Sequence, residues 1–400
     1  MKKILSYTLS LILLMACSSK PVTANRPMPE VIDSAFAFAQ RQALLMAQKY
    51  EGQEGRLPRS FVDGKDKSSD SRWWCSGFFP GTLWYLYENG KDEQILKYAQ
   101  LYTDRVEREK YTTNNHDVGF MLYCSFGNGL RLTGEERYEE VLLTGAKSLA
   151  TRYKENIGLI RSWDHNKENW QYPVIIDNIM NLELLLWAAA YSGDSTFYKM
   201  AISHADKTIE HHFRPDFSSF HVVSYDTVTA LPHKKQTHQG YADSSAWSRG
   251  QAWGLYGYTY LYRLTKEERY LQQAVNIAEF LINHPNMPAD GIPYWDFDTP
   301  EIPDTPRDAS AGCIMAAALT ELCGFVDGER ADKFLNMAIK QVKTLASEEY
   351  TAKQGENGCF ILKHSTGAFP LNSEIDVPLP YADYYYLEAL SRLKRIYKEK

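Results

Sequence analysis

The chain has 400 residues, enough for one large or two ordinary domains, and is 44% hydrophobic and 13% aromatic. That composition excludes a disordered chain and supports a large core. A net charge of −6 with no Lys/Arg stripe excludes a nucleic-acid footprint, so an anionic ligand would need cations gathered in a pocket. The 27 Tyr and 9 Trp suit either stacking on sugar rings or an aromatic-rich core.

The N-terminus, MKKILSYTLSLILLMACSSK, has a basic start and an apolar stretch from Ile4 to Met15. This stretch is too short to span a bilayer and reads as an export signal. Leu14-Met15-Ala16-Cys17 resembles a bacterial lipobox, in which Cys17 would carry a lipid; an ordinary secretory signal with a stray cysteine is the alternative. The expected organisation is a signal peptide over 1–17, an exposed linker over 18–30 and one domain over 31–397. The expected location is the periplasm, with an anchor at Cys17. Of the other cysteines, Cys75, Cys124, Cys313, Cys323 and Cys359, none forms a CxxC pair. Neither a zinc site nor a disulfide framework is indicated.

Helical periodicity dominates beyond residue 30, and a weak repeat runs through it. An apolar run, a Gly or acidic turn and an amphipathic helix recur. The copies begin GTLWYLYENGKDEQ, GNGLRLTGEERYEE, LLLWAAAYSGDSTF, LYGYTYLYRLTKEERY and AAALTELCGFVDGERA. The first helix of each is apolar nearly all round and is expected inside; the second is charged on one face and is expected outside. A helix over about 32–50 adds one outer member, and YADYYYLEALSRLKRIYKEK adds one inner member. The fold expected is all-α, an (α/α)6 toroid of six inner and six outer helices, with an open solenoid as the alternative.

The long connections, 153–176, 211–248, 283–309 and 350–380, all lead into N-termini of inner helices and hold most of the Pro, His, Trp and Asp. They predict one crater on one face. Asp117 in NNHDVGF and Asp177 in VIIDNIMN fall in first turns of neighbouring inner helices. Each could cap its helix. A close buried pair would instead push one pKa upward, leaving one acid and one charged partner. The apolar run before Asp177 makes it the candidate proton donor, with Asp117 as capping residue and charged partner. Arg249 opens a helix, where a cation is disfavoured by the macrodipole. It could hold a ligand carboxylate, or pair with Asp243 or Asp117, with Trp253 presenting a ring beside it. Trp74 and Trp163 could be core or platform, and His221, His238 and Gln239 lie on the longest polar loop. No phosphate loop or metal spacing is present, and no cofactor is expected.

NNHDVGF, IIDNIMNLELLLWAA, SSAWSRGQAWGLYGY, RDASAG and YADYYYLEAL together resemble the unsaturated glucuronyl hydrolases, glycoside hydrolase family 88, from about residue 30 to 395. The resemblance implies an (α/α)6 barrel and a substrate ending in a 4,5-unsaturated uronic acid, made by a polysaccharide lyase. It implies hydration of the C4=C5 bond, with Asp177 as acid/base and Asp117 holding substrate and shaping its neighbour's pKa. Trp74, His116, Trp163, His221, Gln239, Arg249 and Trp253 match sugar-contacting positions. Lys363, His364 and Ser365 occupy a region that contacts the neighbouring sugar. Alternatives are the unsaturated rhamnogalacturonyl hydrolases of the same fold and a non-catalytic sugar-binding lipoprotein. A sugar epimerase on the same toroid would need an opposed pair of His bases, which cannot be identified.

Overall fold

A computed structural model of the chain describes residues 26–398. The expected signal peptide, Cys17 and most of the linker lie outside the described residues. Helix α1 (Met28–Glu51) is outer, and Met28 is already buried. Met28, Pro29 and Glu30 therefore belong to the helix rather than to the linker expected over 18–30.

Inner and outer helices then alternate. The first pairs are α2 (Phe78–Gly90) with α3 (Glu93–Asp104), and a split inner helix, α4 (Val118–Leu122) and α5 (Asn128–Thr133), with α6 (Glu136–Ala150). Next come α7 (Leu182–Ser192) with α8 (Ser195–His212) and α9 (Ser248–Thr265) with α10 (Glu268–Asn283). The series ends with α11 (Ala309–Leu322), α12 (Gly328–Leu345) and the inner α13 (Pro380–Lys398). The inner members close a ring: α13 packs on both α2 and α11, α11 on α9, and α9 on the 3-10 turn that opens α7. This is the expected toroid of six inner and six outer helices.

Burial follows residue pattern. In α11 every residue from Ala309 to Thr320 is buried, as its run of small and apolar side chains requires. In α12 the buried residues are Phe334, Met337, Ala338, Gln341, Val342 and Leu345, one stripe at helical spacing. The short inner-to-outer turns use left-handed residues, at Gly134 and Gly193 but also at Lys91 and Lys266. Asp92 and Asp194 cap the outer helices that follow.

Short strands stand where only loops were expected. β1 (Leu57–Val62) and β2 (Lys65–Ser69) form a hairpin. Its turn, Asp63-Gly64, has both residues at positive φ, the Asp-Gly signature of a tight hairpin. β3 (Tyr153–Lys154) pairs with β4 (Leu159–Ile160). β5 (Pro173–Ile175), β6 (Val222–Tyr225) and β7 (Pro232–Gln236) make an antiparallel sheet in that order. That sheet stiffens two of the long connections and delivers the chain directly into the turn before α7.

The middle of the ring is filled. Trp253 packs on Phe120 and Tyr385 with centroids 5.0 and 5.4 Å apart, and Phe78 on Tyr385 at 5.9 Å. Beyond this aromatic floor lies a cavity of about 670 Å³, walled by Glu183, Arg263, Glu321, Glu388 and Arg392 among others. Arg392 bridges Glu321 and Glu388, and Arg263 bridges Glu183 and Glu321. Tyr85 and Tyr256 donate their hydroxyls to Glu388.

On the opposite side, α4 approaches the turn before α7 so closely that a Cβ on Gly119 would lie 2.6 Å from the Asn181 Cα and 2.7 Å from its Oδ1. The Phe120 N–H donates to that Oδ1 at 2.9 Å. Gly119→Ala must push backbone apart, and is expected to cost ~1–3 kcal/mol by overpacking, read as a lower melting temperature than wild type.

Candidate active site

Asp117 and Asp177 occupy the two turns that meet at Gly119. Asp117 holds the N-cap position of α4, but its carboxylate makes no capping bond; instead its backbone N–H donates to Asn115 Oδ1 at 2.9 Å. The expected capping role of this side chain is therefore absent. Asp177 is the second residue of the 3-10 turn Ile176–Asn181, which β5 enters through buried Val174 and Ile176. The Ile176 N–H is tied to the His221 carbonyl at 3.0 Å.

Burial dominates the electrostatics of both carboxyls. Asp117 is pushed up to about 8 by desolvation and then by the charge of Asp177, against the pull of Asn115, Arg152 and Asn181. Asp177 is pushed up to about 7 by desolvation, with the Arg249 charge opposing it. Both are raised, whereas the sequence reading gives the raised pKa to Asp177 and makes Asp117 the charged partner. Burial raises both, the Asp177 charge adds to the shift at Asp117, and the Arg249 charge opposes it at Asp177.

Two buried histidines flank the pair. His116 places Nε2 3.3 Å from Asp117 Oδ1, and its Nδ1 lies 2.8 Å from the Ser162 carbonyl. His221 places Nε2 3.8 Å from Asp177 Oδ2, while its Nδ1 meets the backbone N–H groups of His238 and Gln239, each at 3.1 Å. Desolvation lowers His116 to about 3 and His221 well below its ordinary value, so both rings are neutral.

Arg249 is 1% exposed and pairs with Asp308 at 3.0 Å, not with Asp243 or Asp117. Its guanidinium also donates to the carbonyls of Thr366 and Gly367. Asp308 is the N-cap of α11 and accepts from Ser310 N–H at 3.0 Å. One carboxylate thus caps one helix and neutralises the cation that opens another, which removes the macrodipole objection. The rings beside the cation are Trp247 at 4.6 Å and Tyr381 at 5.4 Å, rather than the expected Trp253. Only Nε of Arg249 is left without a partner.

The remaining candidates divide. Trp74 is half-buried against Tyr381, with centroids 4.9 Å apart, and Phe120, at 5.5 Å, beside the Asp117 turn. Trp163, half-buried, lies 6.4 Å from His221 and 5.6 Å from His238, with a buried indole N–H that has no partner. Trp253 is fully buried with its N–H likewise unpartnered. Gln239 donates to the Gly367 carbonyl at 3.3 Å, the same oxygen that Arg249 holds. Lys363 donates to the Glu348 carbonyl and His364 pairs with Asp376 at 2.6 Å. Ser365 is buried with an unpartnered hydroxyl. Among the described residues, no contact joins these last three to either carboxylate.

Sequence reading missed Arg152, Ser162, Asn181, Asp308 and Trp247. Asp308, before a run of small residues, carried a readable N-cap signal. Arg152, held by Thr113 and Asp164, and Ser162 carried none. Among the described residues, no group of three His, Cys, Asp or Glu is arranged to hold a metal, and Cys75, Cys124, Cys313 and Cys359 are unbridged.

Residues 54–394 match the family model Glycosyl Hydrolase Family 88. The unsaturated glucuronyl hydrolase of Formosa agariphila is 48% identical over 327 residues, covering 82% of this chain and 81% of that protein. The unsaturated chondroitin disaccharide hydrolase of Streptococcus pyogenes serotype M1 is 32% identical over 328 residues, 81% and 82% of the two chains. The crystal structure of an unsaturated glucuronyl hydrolase specific for heparin superposes with a TM-score of 0.89 at 47% identity, over 92% of this chain and 98% of that one. With its toroid and its match over most of its length, the chain belongs to glycoside hydrolase family 88.

Proposed function

We propose that this glycoside hydrolase removes the terminal 4,5-unsaturated uronic acid from glycosaminoglycan-derived oligosaccharides by hydrating the C4=C5 double bond. The observation that carries this reading is the pair of buried carboxyls raised to about 8 and about 7. Hydrating an enol ether needs a proton donor and a base in one place near neutral pH. Two coupled carboxyls sharing one proton supply both.

In this reading Asp177 delivers the proton to C4 and positive charge develops at C5 and the ring oxygen. The Asp177 carboxylate then takes a proton from the water that adds to C5, and the acid is restored. The hemiketal opens by breaking the C5–O5 bond to a C5 ketone. The hemiacetal left at C1 collapses to an aldehyde and expels the adjoining sugar as an alcohol. Asp117 holds the substrate beside Asp177. The half-buried Trp163, whose indole N–H has no partner in the protein, is offered to the substrate's oxygens. The substrate comes from a polysaccharide lyase, since β-elimination creates the C4=C5 bond. The export signal and Cys17 lipid read from the sequence would deliver the domain to the periplasm on a membrane anchor.

Unsaturated disaccharides from heparin and chondroitin should lose their enol-ether ultraviolet absorbance on addition of the protein; no loss with any of them overturns the reading. Asp177→Asn is expected to lower kcat about a thousandfold with the circular dichroism spectrum unchanged, and near-wild-type turnover would exclude it as the acid. The raised pKa values also predict a stability effect. A carboxyl raised on folding binds its proton more tightly in the folded than in the unfolded chain, so stability falls as pH rises from about 4 through about 8. The melting-temperature advantage of Asp177→Asn over wild type should therefore grow across that window. Cys17→Ser should move the protein from the membrane to the soluble fraction of the producing cell.

A further inference from the structure

The two histidines beside the carboxyls are fixed in opposite tautomers by backbone groups. A carbonyl oxygen only accepts, so the 2.8 Å contact of His116 Nδ1 with the Ser162 carbonyl puts the ring proton on Nδ1. The His116 Nε2 facing Asp117 Oδ1 is then a bare lone pair. A backbone N–H only donates, so the two such groups at His221 Nδ1 make that nitrogen the acceptor and put the ring proton on Nε2. The His221 Nε2–H faces Asp177 Oδ2 at 3.8 Å, too far for a hydrogen bond, and neither atom has a hydrogen-bond partner. Burial keeps both rings neutral, so neither escapes the choice by taking a second proton.

A lone pair beside a carboxyl favours its protonated form, and an N–H beside a carboxyl favours its charged form. We propose that His116 and His221 are positioning residues that place the single proton of the pair on Asp117 in the free enzyme, leaving Asp177 as the carboxylate. Other groups also act on the two sites, those at Asp177 in the same direction and those at Asp117 in both. Asp177 has the Arg249 cation, which favours its charged form. Asp117 has the negative charge of Asp177 raising it, with Asn115, Arg152 and Asn181 pulling against. His116 also feels Arg152 and His204, and His221 feels His238, Arg249, His116 and His212. All of these oppose a charged imidazole.

The inference rests on the reading of Asp177 as the group that protonates C4, and adds a step before it. The proton must pass from Asp117 to Asp177 once substrate is bound: one O–H bond breaks on Asp117, one forms on Asp177, and the pair keeps a net charge of −1. Asp117 is then the store from which the acid is loaded.

Two measurements test this on the full-length protein. Without substrate, imidazole nitrogen NMR should find His116 protonated at Nδ1 and His221 at Nε2, and carboxyl-carbon titration should find that Asp117 keeps its proton to higher pH than Asp177. Reversed tautomers or a reversed order of titration overturns the proposal. With the unsaturated disaccharide, the pH profile of kcat/KM reads the same pair through its two limbs. His221→Leu removes the N–H dipole facing Asp177 and should move the acid limb up by about one pH unit. His116→Leu removes the acceptor beside Asp117 and should move the alkaline limb down by a similar amount. His221→Gln and His116→Gln, whose amides reach the Nε2 position, should restore both limbs. A uniform fall in kcat/KM with unmoved limbs would assign the histidines to packing alone and overturn the proposal. If the wild type hydrolyses no unsaturated uronide, the proposed function fails, while the NMR titration still decides where the proton rests.

Discussion

The site depends on a contact in which a side chain is missing. Gly119 lets the first turn of α4 lie against Asn181 at a distance no other residue permits, and the Phe120 N–H to Asn181 bond holds the turns there. Each turn carries one carboxyl, so the backbone contact makes two distant aspartates a coupled pair. Their coupling, the raising of both pKa values and the opposed histidines all follow. The aromatic floor beneath them, Phe120 on Trp253, keeps water from one side and supplies the desolvation that dominates both shifts.

A second layer is built around a buried cation. Arg249 makes its ion pair with Asp308 at the heads of α9 and α11 and collects the carbonyls of Thr366 and Gly367, so the last long connection is docked onto the ring by charge-assisted hydrogen bonds. Asp383, in the first turn of α13, does the same from the other side by accepting from Ile361 and Leu362 N–H groups at 2.9 Å each. Losing one partner of such a buried pair strands the other. The Arg249 charge therefore acts on Asp177 through space while its hydrogen bonds are spent on architecture.

The alternation of apolar and one-faced helices was enough to read the toroid, because burial on all sides or on one stripe leaves a direct mark on residue choice. Asp117, Asp177 and Arg249 were legible as anomalies: ionisable groups at the mouths of buried helices. Their partners were not. Arg249 pairs with Asp308 because ring closure brings α9 beside α11, and no local pattern encodes that adjacency. The tautomers of His116 and His221 depend on a carbonyl at Ser162 and on amides at His238 and Gln239, backbone groups that every residue carries and no sequence distinguishes. The β1–β2 hairpin was readable from Asp63-Gly64 and went unread beneath the stronger helical signal.

The filled centre of the ring has a consequence for how a polymer meets this protein. Phe78, Phe120, Trp253 and Tyr385 close the channel, and the ionic cluster of Arg392, Glu388, Glu321 and Arg263 lies behind them. Among the described residues these rings and charges fill the axis of the ring, so a chain cannot thread through it. Whatever is cut off must back out the way it entered before the next chain end arrives. Such a geometry excludes processivity by threading, so throughput follows the concentration of chain ends rather than the length of the chains.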